Sequence, residues 1–234
     1  MSNRSPRADE RTLQQRFIEF LSKYRIVLLT LLVVLVVGVV GSFVWLEIAD
    51  RRSAAAADVA EELQTTYQDW VNAEEADKSE LAEEIETLAE EILDRYGNTF
   101  AAQRALFIQA NVAWQNEARE TAADRYARLA EEFPESYLAP VALFNAAVAQ
   151  EELGSLEDAF DLYRMVVERY AESSAQVPRA LFALGRISES RDSYEDAAGY
   201  YNRILDEYGE SSWTTVARNR IIFLQTQELI PASS

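Results

Sequence analysis

The chain has 234 residues, with 22 Lys+Arg against 40 Asp+Glu and a formal net charge of −18. It contains neither cysteine nor histidine. That excludes disulfides, thiolate nucleophiles, thiolate metal sites and a lipid-modified cysteine, and it removes the side chain most often used as general base or metal ligand. So acidic a chain repels nucleic acid and anionic headgroups, and neither is expected as a ligand.

Residues 1–25 gather basic charge: Arg4, Arg7, Arg11, Arg16, Lys23 and Arg25 stand against Asp9, Glu10 and Glu19. Leu13, Phe17, Phe20/Leu21 and Tyr24 recur at helical spacing, so this tail reads as a short amphipathic juxtamembrane helix. Ile26–Leu46 follows, 21 residues without a charge. A helix of that length covers roughly 31 Å, the hydrocarbon thickness of a bilayer, and only a helix satisfies its own backbone there. Trp45 at one end, and Lys23, Tyr24 and Arg25 at the other, take the places of interfacial anchors. A transmembrane helix bounded by Ile26 and Leu46 is therefore expected. A cleaved secretory signal ending near Ala54 and Ala56 would have a shorter apolar region. Only Arg51 and Arg52 follow closely, and this asymmetry predicts a cytoplasmic N-terminus with residues 47–234 exported. Gly38 and Ser42 form a small-xxx-small pair that would let two such helices approach.

Beyond the tail, 16 basic residues face 37 acidic ones. The pairs Glu83-Glu84, Glu90-Glu91 and Glu131-Glu132 read as solvated helix faces, and the sequence has no EF-hand loop. Glycine and proline number only 7 and 5, and no useful alternating strand occurs, so the class is all-α. Residues 47–98 read as an irregular helical hairpin. Its segments are Arg52–Ala73 and Ser79–Tyr96, the latter with Ile85, Leu88/Ala89, Ile92 and Tyr96 on one face.

Residues 99–210 repeat, in units of about 99–135, 136–173 and 174–210. Arg104-Ala105-Leu106-Phe107 returns as Val141-Ala142-Leu143-Phe144 and as Arg179-Ala180-Leu181-Phe182. Ala122, Ala159 and Ala197 are each followed one turn later by Tyr126, Tyr163 and Tyr201. Phe133, Tyr170 and Tyr208 close the units, with Ser136, Ser173 and Ser211 three residues on. A period of this size means stacked helical hairpins. The small residue lets the paired helix approach and the ring fills the space between units. Turns fall at Gly154-Ser155 and Asp192-Ser193 within units, and at Phe133-Pro134-Glu135-Ser136 and Tyr208-Gly209-Glu210-Ser211 between them, where serines are candidate N-caps. Residues 211–234 supply a capping helix, expected over Ser212–Leu229, and a tail.

These units resemble tetratricopeptide repeats. Leu184-Gly185, Ala197 and Tyr201 match that pattern in one unit, and Ala122, Tyr126 and Pro134 in another; the period is longer than the usual one. The added residues sit in Tyr137-Leu138-Ala139-Pro140 and Ser174-Ala175-Gln176-Val177-Pro178. This connection resembles the repeats of the bacterial cell-division coordinator and of the outer-membrane assembly lipoprotein. The layout of tail, single span and exported α-solenoid resembles the ancillary Sec translocon subunit family. The resemblance implies a bacterial inner-membrane protein with a periplasmic domain, acting as an adaptor for export components or, alternatively, as a scaffold for cell-wall or outer-membrane assembly factors.

No enzyme is expected, because no serine sits on a Gly-rich elbow and no paired carboxylates stand apart from solvated faces. No cofactor, metal or small-molecule substrate is implied. The family pattern maps groove-facing positions to Arg104, Phe107, Asn111, Phe144, Arg179, Phe182 and Arg186. The arginines would pair with a partner's carboxylates and the phenylalanines would anchor it, unless the rings belong to the inter-helix core.

Overall fold

The structure is a computed structural model that describes residues 7–171 and 174–231. Within its first helix the side chains of 7–16, 22, 27, 28, 31, 45, 46, 48–50, 52 and 53 lie outside the description. Nine helices and no strand occur among the described residues. The first, α1 (Arg7–Asn72), runs unbroken through the uncharged stretch and beyond it. The chain divides into two compact units within α1, at Ala54/Ala55.

In the first unit, every described large apolar side chain from Phe17 to Val44 is exposed, Ile26 to 71% and Phe43 to 73%. Ser42 Oγ donates to the Gly38 carbonyl at 2.6 Å, within its own helix. Among the described residues no helix is long and apolar enough to cross a membrane. The longest continuous piece of the uncharged run with described side chains is Leu32–Val44. Trp45 and Leu46, expected as membrane anchors, have side chains outside the described residues, as do Leu13 and the tail's Arg4, Arg7, Arg11 and Arg16.

The second unit stacks α2 (Lys78–Tyr96) and three hairpins: α3 (Phe100–Gln115) with α4 (Arg119–Glu132), α5 (Ala139–Glu152) with α6 (Leu156–Tyr170), and α7 (Val177–Ser190) with α8 (Tyr194–Glu207). Helix α9 (Trp213–Thr226) follows. One core cluster joins Ala56, Ala60, Leu63 and Trp70 of α1 to Ile85, Ala89 and Ile92 of α2 and to the outer face of α3. A larger cluster runs from Leu106 through the repeats to Leu224 and Ile230. Trp70 Nε1 is buried without a hydrogen-bond partner among the described residues.

The repeating residues fill this larger cluster. Ala122, Ala159 and Ala197 are fully buried, and so are Leu106, Leu143 and Leu181 but for a trace. In α7 the approach is closest: a Cβ built on Gly185 would lie 2.4 Å from the Tyr201 ring. That ring is itself enclosed, so only glycine fits there. Pro140 and Pro178 stand in the first turns of α5 and α7, where no intrahelical donor is lost.

The serines act differently from expectation. Ser155, Ser193 and Ser212 occupy N-cap positions without a side-chain cap bond, whereas Thr99 caps α3. The bonding serines instead sit two or three residues before a helix start. The amides of Leu138, Gln176 and Trp213 donate to the hydroxyls of Ser136, Ser174 and Ser211 at 3.2, 3.1 and 3.3 Å. Ser174 therefore holds the place expected of Ser173, which lies outside the described residues. The closing aromatics tie successive connections together: Tyr170 Oη donates to the Pro134 carbonyl at 3.0 Å and Tyr208 Oη to that of Ala171 at 3.1 Å.

Each hairpin turns through one left-handed residue, Glu117 (φ 59), Gly154 (φ 79) and Asp192 (φ 59). The amide after each bonds back to the carbonyl five residues earlier. Helix α9 ends on the same turn, at Glu228 (φ 57), with Leu229 N bonded to Leu224 O at 3.0 Å. The capping helix is thus built as the first helix of a fourth hairpin, whose second helix is replaced by the chain around Ile230.

Candidate protein-interaction site

The first helices of the hairpins, α3, α5 and α7, carry the phenylalanines expected in the groove. Each ring packs on the tyrosine of its own hairpin: Phe107 on Tyr126 at 5.7 Å, Phe144 on Tyr163 at 5.1 Å, Phe182 on Tyr201 at 5.2 Å. Phe144 is buried, while Phe107 and Phe182 are half-buried. Phe182 also meets Trp213 of α9 at 5.2 Å.

Beyond these rings the second and third hairpins share a polar network. Tyr163 Oη donates to Glu151 at 3.2 Å, and Arg186, one helix further along, donates to the same carboxylate at 2.6 Å. Tyr201 Oη donates to Glu189 at 2.6 Å, and Arg220 of α9 grips that carboxylate with Nε at 2.7 and 2.9 Å. The carboxylates are well shielded, with side-chain exposures of 19% for Glu151 and 8% for Glu189. A shielded carboxylate held by a two-pronged guanidinium fixes register between neighbours, and either partner left alone is costly. Burial, reinforced by the adjacent carboxylates, pushes the Tyr163 and Tyr201 hydroxyls far above their ordinary pKa. The Glu151 hydrogen bond in turn raises that of Arg186.

The first hairpin breaks the series. Trp114 stands where Glu151 and Glu189 stand in the later repeats, and Val148 where Arg186 stands. Tyr126 Oη turns to Asn111 Oδ1 at 2.5 Å. Burial pushes its pKa up to about 12, with the Asn145 amide pulling the other way. The Arg119 guanidinium lies 4.1 Å over the Trp114 ring and pairs with Glu152 at 2.5 Å. A pocket of about 280 Å³ remains, lined by Trp114, Tyr126, Asn145, Val148 and Arg179.

The three expected arginines thus part company. Arg104 donates to Gln64 of α1. Arg186 is committed to Glu151. Arg179 is exposed, with its guanidinium 4.3 Å over the Phe144 ring, and has neither ion pair nor hydrogen bond among the described residues. Sequence reasoning did not single out Glu151, Glu189, Arg220, Trp114 or Asn145. The available signal was the recurrence of glutamate one period apart, at a constant distance before each Ala-x3-Tyr tyrosine.

Stacked helical hairpins of this construction define a helical-repeat scaffold, a class that typically binds proteins and is not catalytic. A sequence profile for the tetratricopeptide repeat-like domain matches residues 19–208, and the chain belongs to that family. Among solved structures, the apo form of RapI resembles the chain with a TM-score of 0.55 at 16% identity, over 69% of this chain and 46% of that one. BtubC (BKLC) from P. vanneervenii gives a TM-score of 0.48 at 17% identity, over 70% and 66%. The chain therefore spans under half the length of RapI and about two thirds that of BtubC. The likeness to RapI is one of fold. No curated protein sequence matches the chain significantly.

Proposed function

We propose that the chain is a membrane-tethered adaptor, in which a single span at Ile26–Leu46 anchors an exported repeat domain that captures a protein partner of the export or envelope-assembly machinery. The observation that carries this reading is the helix around the uncharged run. Its described apolar side chains between Ile26 and Val44 are 49–73% exposed, and they occupy every face of the helix. A helix apolar all round needs apolar surroundings, and a bilayer supplies them without any change in the helix. Basic residues before the run outnumber those just after it, which favours an N-terminus kept in the cytoplasm. The partner's identity as a component of the Sec translocon or its chaperones rests on the resemblance in layout.

Because the chain has no cysteine, introduced thiols report topology without background. In cells with a permeabilised outer membrane, an impermeant maleimide should label Glu210→Cys at once and Ser2→Cys only after lysis. The reverse order, or protection of both until lysis, overturns the proposal.

A further inference from the structure

The break in the polar series between α3 and α5 is built from both sides. Trp114 replaces the carboxylate and Val148 replaces the guanidinium of the neighbouring repeat. What remains is a seat of mixed lining, with Trp114 and Val148 as its apolar walls, Tyr126 and Asn145 beside them, and one cation, Arg179. Arg179 lies over Phe144 with no carboxylate beside it among the described residues, in a chain of net charge −18. Carboxylates are the most numerous charged groups of this chain, so a guanidinium left without one is available to an incoming acid. The Trp114 ring is packed by the Arg119 guanidinium at 4.1 Å, a contact that restrains this wall before anything enters. At about 280 Å³ the pocket falls just under the roughly 300–1,000 Å³ of small-molecule sites, which suits one side chain and not a whole cofactor.

We propose that this pocket is a selective seat for a single aromatic or large aliphatic side chain carried next to a carboxylate on a partner protein segment. The side chain packs between Trp114 and Val148, and the carboxylate pairs with Arg179. The Asn145 amide beside Tyr126 supplies a further polar contact at the wall. This inference rests on the reading of the repeats as a partner-binding surface. It is independent of which side of the membrane they occupy.

The test uses the full chain in detergent, labelled with 5-fluorotryptophan, so that the 19F signal of Trp114 is followed directly and assigned by its loss in Trp114→Phe. The probes are N-acetyl-phenylalanine, its C-terminal amide, and acetate. Only the first should shift the Trp114 signal saturably at low millimolar concentration, with the amide and acetate at least 10-fold weaker. Arg179→Gln should weaken N-acetyl-phenylalanine about 10-fold and leave the amide unchanged. The double variant Trp114→Glu/Val148→Arg, which restores the pair already present at Glu151 and Arg186 in the next repeat, should melt as the parent does. By ligand-observed saturation transfer it should bind none of the probes. Equal binding of acid and amide overturns the proposal. So does a response at another tryptophan in place of Trp114, or undiminished binding in the double variant. The labelling experiment reads only topology, so its failure leaves this result standing, and the reverse holds too.

Discussion

The contact between α5 and α7 and the contact between α3 and α5 are built on one plan and finished differently. In the former, the Phe144–Tyr163 pair is continued by Glu151 and Arg186 into a closed polar chain. In the latter, Phe107–Tyr126 is continued by Trp114 and Val148 into an open pocket with no ion pair across it among the described residues. Repetition supplies the shared part, because each hairpin must bury the same small and aromatic residues. The difference shows where a repeat array can carry individuality: at positions just past the shared core, where a charge pair locks neighbours and its absence leaves a cavity.

The largest effect should come from breaking the shared part. Tyr163 is 1% exposed, and Tyr163→Ala removes a ring packed against Phe144 and releases Glu151 from one of its donors. A loss of about 3 kcal/mol is expected in urea denaturation of the repeat domain, as for other buried aromatics. A loss below about 1 kcal/mol would show that the ring is not part of the core.

A smaller difference should separate two arginines that the sequence treats alike. Arg186→Ala leaves the shielded Glu151 without its counter-ion and should cost about 1–2 kcal/mol, reduced from the buried-pair range because the guanidinium is half exposed. Arg179→Ala touches no ion pair among the described residues and should stay within about 0.5 kcal/mol. Thermal melts of the two variants side by side decide the matter, and equal losses would erase the distinction between locked and open contacts.

The smallest effect concerns alkaline pH. The hydroxyls of Tyr126, Tyr163 and Tyr201 all have folded pKa values raised above the ordinary value of 10. The unfolded chain therefore loses these protons first, and stability that is complete below about pH 10 falls as the pH climbs above it. Tyr163 and Tyr201 face carboxylates and Tyr126 faces amides. Tyr163→Phe and Tyr126→Phe should nevertheless each blunt the alkaline decline by a similar amount between pH 9 and 11, as read from denaturation midpoints, because both folded hydroxyls stay protonated there while the unfolded ones titrate. A decline of unchanged steepness in Tyr163→Phe would assign it to other groups.

The sequence alone determined the helical class, the repeat period and the inward residues. Ala122, Ala159 and Ala197 and their tyrosines announced themselves because a buried face imposes a local spacing that any reader of the chain can see. The uncharged run was equally plain, as a matter of composition. The closing tyrosines were legible as repeating aromatics, although their hydroxyl bonds to Pro134 and Ala171 were not. Ser174 follows Ser136 by 38 residues, the interval that also separates Leu143 from Leu181, so the repeat spacing already pointed to it.

Tertiary structure alone decided which charged and apolar groups meet. Arg179 and Arg186 stand on one helix and look equivalent in sequence, yet Arg186 meets Glu151 of the preceding hairpin, whereas Arg179 lies over the ring of Phe144 with no ion pair among the described residues. Glu151 and Glu189 resembled the other glutamates of solvated faces until a neighbouring helix covered them. Periodicity reports how a helix divides between core and solvent. It carries no record of which residue of the next repeat arrives opposite, because that depends on how two packed helices are offset, a quantity fixed by the shapes of all the side chains between them.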